Sequence, residues 1–162
     1  MFEELIHRYE ASICSYLARL TGDSARAEEL AQETFVRAYR ALAKGQRWDN
    51  PRAWLYRVAS RLATDEHRRR QLLQWLPLLG TERKPGPSIE QATAERLCVQ
   101  AALQALAPKY RVPLVLYVHE GYNVAEVAEL LELSVSATKS RLSRARQMFR
   151  AAYDGAEGRK ET

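Results

Sequence analysis

From Lys139 to Arg150 the chain carries five basic residues, Lys139, Arg141, Arg144, Arg146 and Arg150, and no acidic one. The segment just before it is the reverse, holding Glu120, Glu126, Glu129 and Glu132. Such a switch suits a phosphate backbone, and the short hydroxyls and long cations between its apolar positions suit base edges in a major groove. Ser136, Lys139, Ser140, Ser143 and Arg144 are candidates to enter the groove, while Arg141, Arg146 and Arg150 suit phosphate contacts that position without reading sequence. A second group interleaves Trp48, Trp54 and Tyr56 with Arg47, Arg52 and Arg57. Rings stack on bases and arginines follow a strand, which fits single-stranded nucleic acid, although Trp54 also suits a buried core. A third group, Glu28, Glu29, Gln32 and Glu33, is acidic. By itself it does no more than complement the positive end of a helix.

None of these groups makes an enzyme. His7, His67 and His119 stand apart, each alone on a helical pattern, and there is no phosphate-cradling glycine loop or GxSxG. Asp65, Glu66 and His67 are neighbours, but neighbours on a helix point different ways. No catalysis, metal or cofactor is expected. Cys14 and Cys98 lack any metal-like spacing and are expected to be buried, reduced thiols, which fits a cytoplasmic protein. No apolar run approaches the roughly 18 residues of a membrane span, and the N-terminus is acidic where a signal peptide would be basic. Membrane insertion is therefore not expected. An apolar content of 46%, a formal charge of +5 and a pI near 9.4 allow a core and suit an anionic partner.

The elements that must position these residues are all helical. Val124, Val127, Ala128 and Leu131 recur at helical spacing, Leu133-Ser134 interrupts, and Val135, Thr138, Leu142, Ala145 and Phe149 continue. This predicts a helix–turn–helix whose second helix starts near Val135 with Ser134 as its N-cap. Its tight turn calls for a left-handed residue at 132, where glycine is favoured and a glutamate costs on the order of 1 kcal/mol.

Upstream, Phe2, Leu5, Ile6, Tyr9, Ile13, Tyr16, Leu17 and Leu20 mark one face of a helix ending at Thr21-Gly22. Asp23 or Ser24 caps a second, with Leu30, Ala31, Thr34, Phe35, Ala38 and Leu42 inward. Asn50-Pro51 starts a third, with Trp54, Leu55, Val58, Ala59 and Leu62 inward. Pro77, Gly80, Pro85, Gly86 and Pro87 then mark a linker. Ser88-x-x-Gln91 is a capping box for a helix burying Ala92, Leu97, Leu103 and Leu106. Pro108 opens the next helix, running through Glu120, with Pro113 loosening its early turns. The expected fold is all-α: two small helical domains joined by a flexible linker, the C-terminal one a helix–turn–helix. The expected domains are residues 1–71 and 91–155, with a linker at 72–90 and a disordered tail at 156–162.

Three segments together resemble the extracytoplasmic-function group of bacterial sigma factors, the specificity subunits of RNA polymerase. These are Ala27–Leu42 (AEELAQETFVRAYRAL), Asn50–Arg70 (NPRAWLYRVASRLATDEHRRR) and Glu120–Arg146 (EGYNVAEVAELLELSVSATKSRLSRAR). The resemblance implies that Glu28, Glu29, Leu30, Gln32 and Glu33 grip the clamp helices of the largest subunit of core RNA polymerase. It implies that Arg52, Trp54, Arg57, Arg61, Asp65, Arg68 and Arg69 open the minus-ten element of promoter DNA and hold a flipped base. Ser136, Lys139, Ser140, Arg141, Ser143 and Arg144 would meet the minus-thirty-five element, and an anti-sigma factor would be a further partner. Arg61 stands where many relatives have asparagine, and Glu132 replaces the customary turn glycine. Pro51-Arg52 and Arg61 resemble the iron-uptake members of the group. From the residues alone, the alternative is a stand-alone helix–turn–helix regulator binding duplex DNA without polymerase.

Overall fold

A computed structural model of the chain describes residues 1–75 and 93–158. The expected capping box Ser88–Gln91, most of the expected linker and residues 159–162 lie outside the described residues. The chain divides into two compact units, Met1–Gly86 and Pro87–Thr162. The described residues form seven helices and no strand.

The first unit packs three helices, α1 (Phe2–Thr21), α2 (Ser24–Ala43) and α3 (Pro51–Gln74). Gly22 ends α1 in the left-handed region, φ 69°, and donates its amide to the Ala18 carbonyl at 2.9 Å. The Asp23 carboxylate accepts the Arg26 amide at 3.1 Å, so the next helix starts within two residues. Asn50 does the same for α3 through the Ala53 amide, and Pro51 occupies the first turn, where its missing N–H removes nothing.

The core is built from Ile13, Tyr16, Leu17 and Leu20 of α1, Ala27, Leu30, Ala31, Phe35 and Ala38 of α2, and Leu55, Tyr56, Ala59, Leu62 and Ala63 of α3. In α3 the buried stripe is shifted from the expected one: Trp54 and Val58 are half-buried, while Tyr56 and Ser60 are buried. Tyr56 is therefore a core residue and not a stacking surface. Its ring meets Tyr16 edge-on at 4.9 Å between centroids, and the Tyr16 hydroxyl and Ser60 Oγ are hydrogen-bonded at 2.6 Å. Helix α3 also continues to Gln74, past residue 71 where the expected domain ends.

The second unit holds α4 (Ala94–Gln104), α5 (Pro108–Val118), α6 (Val124–Leu131) and α7 (Val135–Gly158). Helix α4 is capped by Thr93, whose hydroxyl accepts the Arg96 amide at 3.3 Å. It buries Cys98, Ala102 and Leu103, whereas Leu97, expected inside, is exposed. Helix α5 is the axis of the unit. Every residue from Tyr110 to Leu116 is buried, as befits a helix surrounded by others. It runs unbroken through Pro113 but stops at Val118, two residues short of Glu120.

One of the residues it buries is Arg111. Its Nε donates to the Leu103 carbonyl at 2.8 Å, and its Nη2 donates to the carbonyls of Gln104 at 3.1 Å and Leu106 at 2.6 Å. These oxygens lie at the end of α4 and in the turn that follows, where few backbone amides remain to meet them; the Leu103 oxygen also accepts the Leu106 amide at 3.1 Å, and the guanidinium adds a donor to all three. Burial pushes the Arg111 guanidinium down to about 10. Helix α7 continues to Gly158, so residues 156–158, expected in a disordered tail, are helical.

Candidate nucleic-acid interface

The helix–turn–helix is set by local backbone chemistry. Asn123 and Glu126 form a reciprocal capping box at the start of α6, the Asn123 side chain accepting the Glu126 amide at 2.9 Å and the Glu126 carboxylate accepting the Asn123 amide at 3.1 Å. The N-x-x-E spacing carries that signal in the sequence, and it was passed over there. Helix α6 ends at Glu132, which takes the left-handed conformation, φ 58° and ψ 44°. It is the one non-glycine residue with positive φ among the described residues. The geometry expected of the turn is thus present despite the side chain that opposes it. Ser134 Oγ accepts the Ala137 amide at 3.0 Å, and α7 begins at Val135.

Helix α7 buries Thr138, Leu142 and Ala145. At about 100° per residue, Ser136, Lys139, Ser140 and Ser143 cluster on the opposite side, and all four are exposed. Gln147 and Arg150 continue that row, and Gln147 was not singled out in the sequence. Arg144 is exposed at the edge of the row, and Arg141 lies further round, half-buried. Arg146 stands on the other flank, its guanidinium 5.1 Å from the centre of the Tyr117 ring. Between α5, α6 and α7 these residues line an open groove of about 410 Å³ walled by Tyr117, Val124, Lys139, Ser143, Gln147 and Arg150. A surface of hydroxyls, amide and cations with no carboxylate is chemically a polyanion site with the means to discriminate base edges.

In the first unit the α3 candidates do not all share a face. Trp54, Arg57, Arg61, Asp65 and Arg68 recur at +3 and +4 and form one stripe, with Arg69 bordering it. Arg61, Asp65, Arg68 and Arg69 are exposed, and Trp54 and Arg57 are half-buried. Arg52 is on another side, its guanidinium 5.0 Å from the centre of the Tyr56 ring over the edge of the core. Trp54 stacks on Trp48 with centroids 4.2 Å apart and planes at 26°. The half-buried indole pair tops the stripe, and the Trp48 Nε1 donor is buried without an acceptor among the described residues.

Glu28, Glu29 and Gln32 are exposed on α2, and Glu33 is half-buried. Leu30 is not part of that surface. It is 5% exposed and belongs to the core, so any role it has at a contact is to support the helix from below. The acidic charge is partly matched: Glu29 pairs with Arg26, and Glu33 accepts from Arg37 Nε at 3.1 Å.

Arg26 also reaches α3. Its Nε and Nη2 donate to the two Glu66 carboxylate oxygens, each at 2.6 Å, and Arg70 joins from the far side at 3.5 Å to Glu66 and 3.3 Å to Asp23. The hydrogen bonds from Arg26 hold the Glu66 carboxyl below its ordinary range, against burial that pushes the other way. Neither Arg26 nor the Asp23–Arg70 link was legible as functional or structural in the sequence.

No group of histidine, cysteine, aspartate and glutamate side chains able to hold a metal occurs among the described residues. No helix there is long and apolar enough to cross a membrane. Cys14 and Cys98 are both free, Cys98 buried and Cys14 half-buried, and burial pushes the Cys14 thiol up.

Two family models match the chain: Sigma-70 region 2 over residues 5–72, and Sigma-70, region 4 over residues 96–149. The ECF RNA polymerase sigma factor SigL of Mycobacterium tuberculosis is 31% identical over 146 residues, covering 88% of this chain and 82% of that protein. Among solved structures, the sigma factor RpoE in complex with the anti-sigma factor NepR from Bartonella quintana is similar in fold, with a TM-score of 0.74 at 19% identity, covering 94% of this chain and 96% of that one. CnrH in complex with the cytosolic domain of CnrY is similar at a TM-score of 0.68 and 25% identity, covering 95% of this chain and 88% of that one.

Proposed function

The chain belongs to the extracytoplasmic-function (ECF) sigma factors of bacterial RNA polymerase, and from that premise we propose how its side chains divide the work of finding and opening a promoter. As a sigma factor it binds core RNA polymerase and directs promoter-specific transcription initiation. The exposed residues Glu28, Glu29 and Gln32 of α2, with half-buried Glu33, dock on core polymerase. The α3 stripe of Trp54, Arg57, Arg61, Asp65 and Arg68, with Arg69 beside it and Arg52 at the helix start, takes the minus-ten strand as it unpairs. The row on α7, Ser136, Lys139, Ser140 and Ser143 with Arg144 and Arg141 at its edge, reads the minus-thirty-five element.

The observation that carries this division is the contrast of surfaces within one chain. An indole stack above a row of arginines suits unpaired bases, and an acid-free hydroxyl-and-cation helix suits a duplex groove. The chain has no catalytic role in this reading; chemistry stays with the core enzyme. It acts in the cytoplasm, on the nucleoid. The sigma factor RpoE described above was captured with the anti-sigma factor NepR, which supports an anti-sigma partner for this chain too. A stand-alone regulator is disfavoured because it has no use for the first unit.

Reconstitution tests the reading. Purified chain mixed with bacterial core polymerase should co-elute with it and start transcripts on genomic DNA where core alone starts none. Failure of both would sink it. Reversing two charges of that face, Glu28→Lys with Glu33→Lys, should weaken core binding about tenfold at moderate salt while duplex binding by α7 is kept. Equal loss of the two would remove α2 from the polymerase contact.

A further inference from the structure

Arg144 is the candidate base reader that the fold holds from behind. It lies about a quarter-turn round α7 from Ser136 and Ser143, at the edge of the exposed row. There its Nη1 donates to the Tyr110 hydroxyl at 3.4 Å. Tyr110 is itself fixed. It is the third residue of α5, its amide bonds the Ala107 carbonyl at 2.9 Å, its ring is 8% exposed, and Lys109 Nζ stands 4.9 Å from the ring centre.

We propose that Tyr110 is a positioning residue for sequence reading: its hydroxyl takes Arg144 Nη1 and thereby presents the Nε–Nη2 edge of the guanidinium to the promoter. This rests on α7 being the promoter-facing helix. An arginine has two forked edges, and reading a base with two hydrogen bonds needs one of them whole and in plane. Using Nη1 for the tyrosine leaves the Nε–Nη2 fork for a base that offers two acceptors on one edge. At 3.4 Å the bond is long, so its value lies in direction more than in strength. A free arginine loses much rotamer freedom on binding, and one already oriented loses less. The Arg144 guanidinium also holds the Tyr110 phenol below its ordinary range, in keeping with a hydroxyl whose lone pairs face a cation.

The test uses the full chain bound to core polymerase and a pool of promoter duplexes randomised across the upstream element. Wild type should enrich a motif. Arg144→Ala should flatten it at one or two adjacent base pairs and leave the remainder. Tyr110→Phe keeps the buried ring and removes only the oxygen, so it should flatten the same positions, with about a tenfold loss on the wild-type motif. Affinity for unrelated duplex and the unfolding midpoint should stay as in wild type. The double variant should lose no more than Arg144→Ala alone.

A Tyr110→Phe motif identical to wild type overturns the proposal. So does flattening spread evenly over all positions, which would mark a structural role, or additive losses in the double variant. If wild type enriches no motif, the promoter-facing assignment of α7 falls and the proposal with it.

Discussion

The two units hold their working surfaces by different means. In the first, helices are tied by side-chain charge: Arg26, Glu66, Arg70 and Asp23 join the start of α2 to the second half of α3, where Asp65, Arg68 and Arg69 are displayed. In the second, the ties run to backbone. Arg111 closes the end of α4, Asn123 and Glu126 box the start of α6, and Ser134 caps α7. Charge pairs of that kind respond to pH and to salt, while caps respond to single substitutions and little else. The α3 surface is therefore the tunable one, and the α7 surface is the fixed one.

The largest effect should come from Arg111. Replacing it by methionine keeps the apolar stem but takes the guanidinium donor from the Leu103, Gln104 and Leu106 carbonyls, at a cost of about 3 kcal/mol. Hydrogen exchange should show the loss in α4 to α7 and none in α1 to α3. A change below about 1 kcal/mol would mean that the guanidinium is a passenger.

Next is Glu66. Its carboxyl titrates lower in the folded chain than its ordinary value of 4.5, so the ion pair contributes fully above that value. The contribution disappears as pH falls through the lowered one. Acid should accordingly loosen the first unit before the second, and Glu66→Gln should abolish that difference and cost about 1–2 kcal/mol at neutral pH. Protection factors followed from pH 7 to pH 3 give the answer; two units loosening together would break the contrast.

The smallest effect is a gain. Glu132→Gly removes the side chain that opposes φ 58° and should stabilise the second unit by up to about 1 kcal/mol, measured as a raised denaturant midpoint with an unchanged slope. A loss would mean that the glutamate side chain contributes more than its backbone strain takes away.

The sequence carried these features unequally, and distance along the chain decides which. Ser134, Pro51 and the left-handed turn at 132 were legible because their partners lie within four residues. The buried stripe of α3 was misplaced by one step. Tryptophan is the largest apolar ring, so Trp54 drew the inward assignment, while the Tyr16–Ser60 hydrogen bond that pulls Tyr56 and Ser60 inside spans 44 positions. Leu30 was legible as core, where it is 5% exposed, while the family resemblance also implied it for the polymerase contact. Tyr110 and Arg144 are 34 residues apart, and Arg26 and Glu66 are 40 apart. Neither pair has a periodicity to betray it. Most of the candidate nucleic-acid residues were named from the sequence, but what aims them was not.

Helix α7 has 24 residues and is continuous to Gly158, so it is a rod about 36 Å long. The exposed row runs along it from Ser136 to Arg150, and its far end, with Phe149, Tyr153 and Asp154, lies in a cleft shared with Val99 and Leu103 of α4 and Leu114 and Val118 of α5. Arg146 and Arg150 line this cleft too, so whatever fills it meets two of the cations of the exposed face, and the two ends of the rod are linked through shared side chains.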